Sequence, residues 1–380
     1  MTPFILFDQG PGGRPEMFRE PLRIIEAHAP EAVAPAFTAI EQARSRGRWL
    51  AGFASYELGY VLEPGLRELL PAERRTPLLR FGVFDAPVSA APLDEIIAYD
   101  EGAATLRDAA CDWSRADYAD AFDVIRAGIA AGDYYQVNLT MQLRMRLEGN
   151  PLGLYGALRR HNPVTHGAYV NLGAPIILSR SPELFFEITA DGLIRTVPMK
   201  GTAPRGTTAA QDEALRERLH ADPKNRAENL MIVDLLRNDI SRVAELGTVH
   251  VPKLFAVESY QTVHQMVSCV AARLRPDAGI GEVFASLFPC GSVTGAPKIA
   301  AMRAIRDVEI GPREAYCGAI GWLAPDGRAR FNVAIRTLVH YGDDEVVLNV
   351  GGGVVADSTA DSEYEEALWK TRFAIGLPQT

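Results

Sequence analysis

The spacing of apolar and polar positions changes period several times along the chain. Over residues 114–131, Tyr118, Ala121, Phe122, Ile125 and Ile129 recur at helical spacing, and Ser114 stands where an N-cap belongs. Residues 134–140 then alternate with period two and predict a strand. Residues 176–179, 184–188 and 193–197 read as further strands, several joined by hairpin-length turns. A helical pattern returns over 225–237. Strands predicted at 331–339 and 345–350 precede the triplet Gly351-Gly352-Gly353 and a last helix over 362–375. In the first third, Arg48 to Phe53 reads as a buried strand among scattered prolines, and the pattern blurs over 91–105. That blur is the expected boundary between an N-terminal region, 1–110, packed on the core and a larger region, 111–380. Mixed runs without strict βαβ alternation predict an α+β fold with antiparallel sheets.

Composition narrows the function classes. The 380 residues carry a net charge of -9 and show no basic stripe, which argues against a nucleic-acid binder. Cys111, Cys269, Cys290 and Cys317 form no CxxC pair, so a structural zinc site is not expected, and scattered thiols suit a reducing compartment. The N-terminus lacks a basic region ahead of its short apolar run, and no stretch reaches the ~20 apolar residues of a membrane span. The expectation is a soluble, cytoplasmic protein with no membrane partner.

Several constellations could carry chemistry, each with a plainer reading beside it. Glu363, Glu366 and Lys370 share one face of the last predicted helix. They are either a solvated face with a Glu366–Lys370 pair or two hard oxygen ligands for Mg²⁺ beside a cation for an anionic substrate. Glu228 shares a face with Ile232 and Leu235, so it leads into an apolar stripe. A carboxylate there calls for a metal or for a salt bridge, with Arg226 or Arg237 as partners. Asp234 and Asp239 read as scaffold. The turn from Pro198 to Gly206 holds Lys200, a solvated loop lysine unless burial or a neighbouring cation lowers its pKa enough for nucleophilic attack. Gly291 to Lys298 fails the P-loop spacing but could present backbone N–H groups to a carboxylate. Arg336 could clamp a carboxylate, and His264 is a lone histidine in a strand-like run.

The order of these segments is more telling than any one of them. Ser181-Pro182-Glu183, Pro198-Met199-Lys200-Gly201-Thr202, Glu228-Asn229-Leu230-Met231-Ile232-Val233-Asp234-Leu235 and Val263-His264 come in that sequence. Gly291-Ser292-Val293-Thr294-Gly295-Ala296-Pro297-Lys298, Tyr316-Cys317-Gly318-Ala319-Ile320-Gly321, Ile335-Arg336-Thr337, Gly351-Gly352-Gly353 and Glu363-Tyr364-Glu365-Glu366 follow. Together, over residues 113–376, they resemble the chorismate-utilising enzyme family. The resemblance implies two antiparallel sheets sandwiching an active-site cleft, with helices outside. It implies that Glu228 and Glu366 coordinate Mg²⁺, with Glu363 supporting through water. Thr294, Tyr316, Arg336, Lys370 and the backbone of Gly351, Gly352 and Gly353 would contact the carboxylates of chorismate. Glu183 and His264 would sit near the ring, where the C4 hydroxyl is lost.

Within that family the turn at Lys200 discriminates between branches. Anthranilate synthases resemble Pro-Ile-Ala-Gly-Thr there, and aminodeoxychorismate synthase component I resembles Pro-Ile-Lys-Gly-Thr. The lysine here therefore implies 4-amino-4-deoxychorismate as product, on the way to 4-aminobenzoate and folate, with Lys200 as covalent nucleophile. Anthranilate or isochorismate synthesis, or a silent chorismate-sensing relative, are the alternatives. No glutaminase-like Cys–His module is evident, so ammonia is expected from a separate glutamine amidotransferase. One position departs from the pattern: Asn225 stands where the family carries an acid, three residues before Glu228.

Overall fold

The structure is a computed structural model that describes residues 2–90, 104–260 and 263–376. Among these residues, two antiparallel sheets of ten strands each face one another. The first sheet runs, in spatial order, through Gly295–Ala296, Gln136–Glu148, Glu345–Val354, Thr337–Gly342 and Ile176–Ser181. It continues through His166–Asn171, Phe4–Phe7, Glu16–Arg19 and Val88–Ser89, while Thr105–Cys111 pairs separately with Gln136–Glu148. The second sheet runs through Met199–Pro204, Val263–Arg273, Leu193–Val197, Leu184–Ile188 and Ala329–Val333. Ala319–Leu323, Trp49–Ala54, Leu79–Phe84 and Arg23–Ala27 complete it, and His250–Ser259 pairs with Val263–Arg273. The N-terminal strands thus enter both sheets. The centre of the expected boundary, 91–103, lies outside the described residues.

The helix predicted at 114–131 forms as Arg115–Ala131. Asp117 N donates to Ser114 Oγ at 3.2 Å and Ser114 N donates back to Asp117 Oδ2 at 2.8 Å, so two otherwise orphaned donors are satisfied reciprocally. Tyr118, Phe122 and Ile125 are buried, as the period requires. The strands predicted at 184–188 and 193–197 form over those residues. A second apolar cluster between the sheets gathers Ile5, Phe7, Phe18, Phe53, Phe84 and Trp322.

Four readings change. The strand predicted at 331–339 is two strands in different sheets, Ala329–Val333 and Thr337–Gly342, because Arg336 takes φ 49° and turns the chain. The last helix divides into Ala360–Trp369 and Arg372–Ile375. The glycine triplet lies inside Glu345–Val354 rather than after a strand, with Gly351, Gly352 and Gly353 paired to Thr140, Leu139 and Asn138 of the neighbouring strand. The lysine turn is an edge strand, Met199–Pro204, whose register against Val263–Arg273 slips between Met199 and Thr202. Gly201, with φ 88°, allows that bulge.

Candidate active site

Two crossings between the sheets lie side by side. The chain leaves the first sheet after Ile176–Ser181 and enters the second at Leu184–Ile188; it returns between Ala329–Val333 and Thr337–Gly342. Val333 N donates to Glu183 O at 3.1 Å, Arg180 N donates to Arg336 O at 2.9 Å, and Ser181 Oγ donates to Val333 O at 2.6 Å. Sheet geometry, not sequence proximity, thereby puts Glu183 and Arg336 on one seam.

Glu183 is buried and accepts a 2.7 Å hydrogen bond from Ser292 Oγ. Burial pushes its carboxyl up to about 7, against the opposing pull of Ser292 and Lys200. Burial likewise lowers the Lys200 ammonium below its ordinary range, opposed by Glu228 and Glu183 and reinforced by Lys370. Among the described residues Lys200 makes no side-chain hydrogen bond or ion pair. The Arg336 guanidinium is half-buried, also without a side-chain partner among them, and burial lowers its pKa. A desolvated, unpaired guanidinium on a strained residue suits an anionic ligand.

The carboxylates come from two helices. Glu228 projects from Pro223–Ser241, and Glu363 and Glu366 project from Ala360–Trp369. Burial raises the Glu228 carboxyl, with Lys200 and Lys224 pulling the other way. It pairs with neither Arg226 nor Arg237: Arg237 binds Asp234 at 2.9 Å, and Arg226 lies 4.8 Å over the Phe255 ring. Burial raises Glu363 too, while Ser358 Oγ donates to it at 2.7 Å. Glu366 is partly exposed; burial would raise it, but Lys370 at 2.8 Å holds it below the usual carboxylate range. Lys370 also donates to Gly351 O at 2.8 Å. A Cβ on Gly352 would stand 3.0 Å from Glu363 Oε2, 3.5 Å from Lys370 Nζ and 3.9 Å from Glu366 Oε1, so the glycine lets the helix close over the strand.

Other expected residues take supporting places. Thr294 is buried, and its hydroxyl donates to Cys290 O at 3.1 Å within its own turn. Tyr316 is buried in the main core beside Cys317 and Arg313, where burial drives its hydroxyl pKa well up. His264 is fully buried, with Nδ1 2.8 Å from Ser259 Oγ and Nε2 3.0 Å from Asp212 Oδ1. Its neighbour Gln265, on the opposite strand face, reaches the lysine bulge: Nε2 donates to Gly201 O and Oε1 accepts from Thr202, each at 2.9 Å. Asn225 binds Asp222 Oδ1 at 2.9 Å, and its own Oδ1 packs where a Gly201 Cβ would be, 2.7 Å away.

The sequence reading missed three contributors. Ser292 fixes Glu183, as above. Arg313, in a buried pair with Glu309 at 2.6 Å, donates to Val293 O at 2.9 Å and Asn138 O at 2.6 Å, locking the Thr294 turn to the central strand. Gln136 is fully buried, and neither end of its amide has a hydrogen-bond partner among the described residues. The alternation at 136–140 marks Gln136, Asn138 and Thr140 as one face but not as a buried one; the structure buries all three.

Comparison with known proteins places this geometry. The fold matches anthranilate synthase component I from Streptococcus pneumoniae with a TM-score of 0.80 and 25% identity, over 97% of this chain and 91% of that one. It matches the menaquinone-specific isochorismate synthase of Escherichia coli with a TM-score of 0.76 and 20% identity, over 98% and 88%. In sequence it is 45% identical over 258 residues to an aminodeoxychorismate synthase of Streptomyces pristinaespiralis, covering 68% of this chain and 36% of the relative. It is 42% identical over 257 residues to aminodeoxychorismate synthase component 1 of Klebsiella aerogenes, covering 68% and 56%. It is 40% identical over 260 residues to an anthranilate synthase component 1 of Haloarcula marismortui, covering 68% and 51%. The chain thus spans from about a third to just over half the length of these curated relatives. The family model described as chorismate binding enzyme matches residues 90–376, and with the two sheets and the seam between them this places the chain in the chorismate-binding enzyme family.

Proposed function

We propose that this chain converts chorismate and ammonia to 4-amino-4-deoxychorismate, as component I of an aminodeoxychorismate synthase, with ammonia delivered by a separate glutamine amidotransferase. The observation that carries the reading is Lys200: unpaired, pushed toward its neutral form by burial, and placed among Glu183, Glu228, Glu366 and Lys370. A solvated loop lysine would have none of these features.

The residues suit Mg²⁺. Glu228 has no hydrogen bond or ion pair among the described residues, so its half-buried charge asks for a cation. No three His, Cys, Asp or Glu side chains there already close into a metal cage. Mg²⁺ is commonly held by one or two carboxylates completed by water and substrate, which Glu228 and Glu366 can supply, with Glu363 ordering water. When bound, Mg²⁺ would neutralise the substrate ring carboxylate next to the carbon under attack.

The protein's own groups then divide the work. Arg336 and Lys370 bind carboxylates. Neutral Lys200 adds through Nζ to ring C2, the double bond shifts, and the C4 oxygen leaves as water with the proton held by Glu183. The Lys200 nitrogen returns a proton to Glu183. Ammonia next bonds to C4, the double bond shifts back, and the C2–Lys200 bond breaks, so one substitution becomes two easier ones. Anthranilate formation is the second reading, since a Haloarcula relative of that name is also similar. Product identification after incubation with chorismate, Mg²⁺ and ammonium decides: 4-amino-4-deoxychorismate supports the proposal, and anthranilate or isochorismate overturns it. No helix among the described residues is long and apolar enough to cross a membrane.

A further inference from the structure

Glu57 stands just after the strand Trp49–Ala54, at the start of the short helix Leu58–Leu62, and is buried. It lies outside residues 90–376, the segment that the family model matches. Both oxygens of its carboxylate accept backbone hydrogen bonds from the crossing that leads into Ala319–Leu323. Arg313 N donates to Oε1 at 2.7 Å, and Glu314 N donates to Oε2 at 3.0 Å. That crossing holds Glu314 at φ 59° and Cys317 at φ 61°, a conformation that residues other than glycine keep only where their neighbours fix it. Tyr56 adds two contacts: its N donates to Glu314 O at 2.8 Å, and the Arg313 guanidinium lies 4.6 Å over its ring. Two adjacent residues of the N-terminal region thus hold Arg313 by its backbone and by its side chain.

We propose that Glu57 is a positioning residue for the candidate active site, acting through Arg313 on the turn at 290–294; its effect on chorismate rests on the reaction proposed above. Burial and the nearby Glu314 push the Glu57 carboxyl up to about 8, against the pull of the two N–H bonds. Such a group is a poor choice for stability alone, and what it secures is geometry. Arg313 donates to Val293 O at 2.9 Å and to Asn138 O at 2.6 Å, while Asn138 N donates to Thr294 O at 2.8 Å. Val293 lies between Thr294 and Ser292, and the Ser292 hydroxyl holds Glu183 at 2.7 Å. The contacts therefore run from Glu57, through Arg313, to the turn that fixes Glu183. A guanidinium is planar and its donors diverge at fixed angles, so a shift of the Arg313 backbone loses one of the two carbonyl contacts. Ser292 then moves relative to Glu183, although Glu57 itself touches no substrate. The N-terminal region in this way completes the site rather than only packing on the core.

The test uses Glu57→Gln, Arg313→Lys and the double variant. Arg313→Lys keeps the charge beside Glu309 and loses the forked donors. Two quantities are read: amide hydrogen exchange over residues 290–297 without ligand, and the KM for chorismate with Mg²⁺ and ammonium. Glu57→Gln should speed exchange at 290–297 about tenfold or more and leave exchange at Leu193–Val197 unchanged. The chorismate KM should rise about fivefold or more, and neither quantity should change further when Glu57→Gln is added to Arg313→Lys. Unchanged exchange at 290–297, an unchanged KM, acceleration spread evenly over all peptides, or full additivity with Arg313→Lys overturns the proposal. A wild-type protein inactive on chorismate would instead sink the reaction proposed above, and the exchange measurement would still decide whether Glu57 acts through Arg313. Should Glu57→Gln not fold, Glu57→Asp, which keeps the charge and withdraws the carboxylate by one methylene, is read by the same criteria.

Discussion

At the scale of single residues, the proposed reaction has Lys200 and Glu183 divide one proton problem. Burial disfavours the charged form of each, so it moves the lysine down and the carboxyl up. Replacing Lys200 with Ala should cut turnover on the order of a hundredfold or more. Chorismate binding should survive, because Arg336 and the carboxylates remain, so the loss falls on kcat rather than KM. Near-normal product formation by Lys200→Ala would return the lysine to the status of a solvated loop residue. Glu183 gives a pH signature. Its folded pKa is raised to about 7, so the protonated acid is present below that pH and is lost as pH rises through it. Adduct formation should therefore show an alkaline decline centred near 7, and Glu183→Gln should lack that decline. A profile still rising at pH 9 would argue against Glu183 as the acid.

At the scale of elements, the proposed site depends on a helix lying closely on the Gly351–Gly353 stretch of a strand, which has no side chains. Gly352 is in strand conformation, so alanine is conformationally acceptable there, but its Cβ would meet Glu363 at 3.0 Å. Gly352→Ala should weaken apparent Mg²⁺ affinity severalfold while leaving the melting temperature nearly unchanged. Titration of activity with Mg²⁺ after EDTA treatment measures this. Glu366→Gln should abolish activity without unfolding the protein, since its side chain is partly exposed and, among the described residues, pairs only with Lys370. Full turnover by Glu366→Gln would remove it from the metal set. Close packing also ties Asn225 to the fold: it lies in the first turn of the helix that carries Glu228 and packs against the lysine bulge at Gly201.

At the scale of the molecule, buried charge holds the parts in register. Arg313 and Glu309 are both buried and form a two-point pair, with Thr140 N donating to Glu309 at 2.9 Å. Arg313→Met leaves the Glu309 charge uncompensated and should cost about 3–5 kcal/mol in urea denaturation. The double variant Arg313→Met with Glu309→Gln should recover part of that loss. No recovery would mean that the backbone contacts of Arg313, not the charge pair, carry its effect. The purified chain should use ammonia and not glutamine. Glutamine-dependent turnover without an added amidotransferase would contradict the division of labour proposed here.

The sequence alone determined the α+β class, the helix over Arg115–Ala131 with its Ser114 cap and several strands, and it supplied the candidate residues of the proposed site. The elements follow from local periodicity and capping chemistry, which any short window carries, and the candidate residues from the order of motifs along the chain. Tertiary structure decided what those windows could not. The run 331–339 is continuously strand-like in pattern, yet it spans two sheets, because only long-range pairing with Leu184–Ile188 and Ile176–Ser181 shows where it must turn. The same pairing separates His264, held by Ser259 and Asp212, from Gln265 at the lysine bulge, although the two are neighbours in sequence. It also buries the polar stripe that begins at Gln136, which alternation alone would assign to solvent. Periodicity reports that a residue differs from its neighbours; which face is water, and which is cleft, depends on what the rest of the chain lays against it.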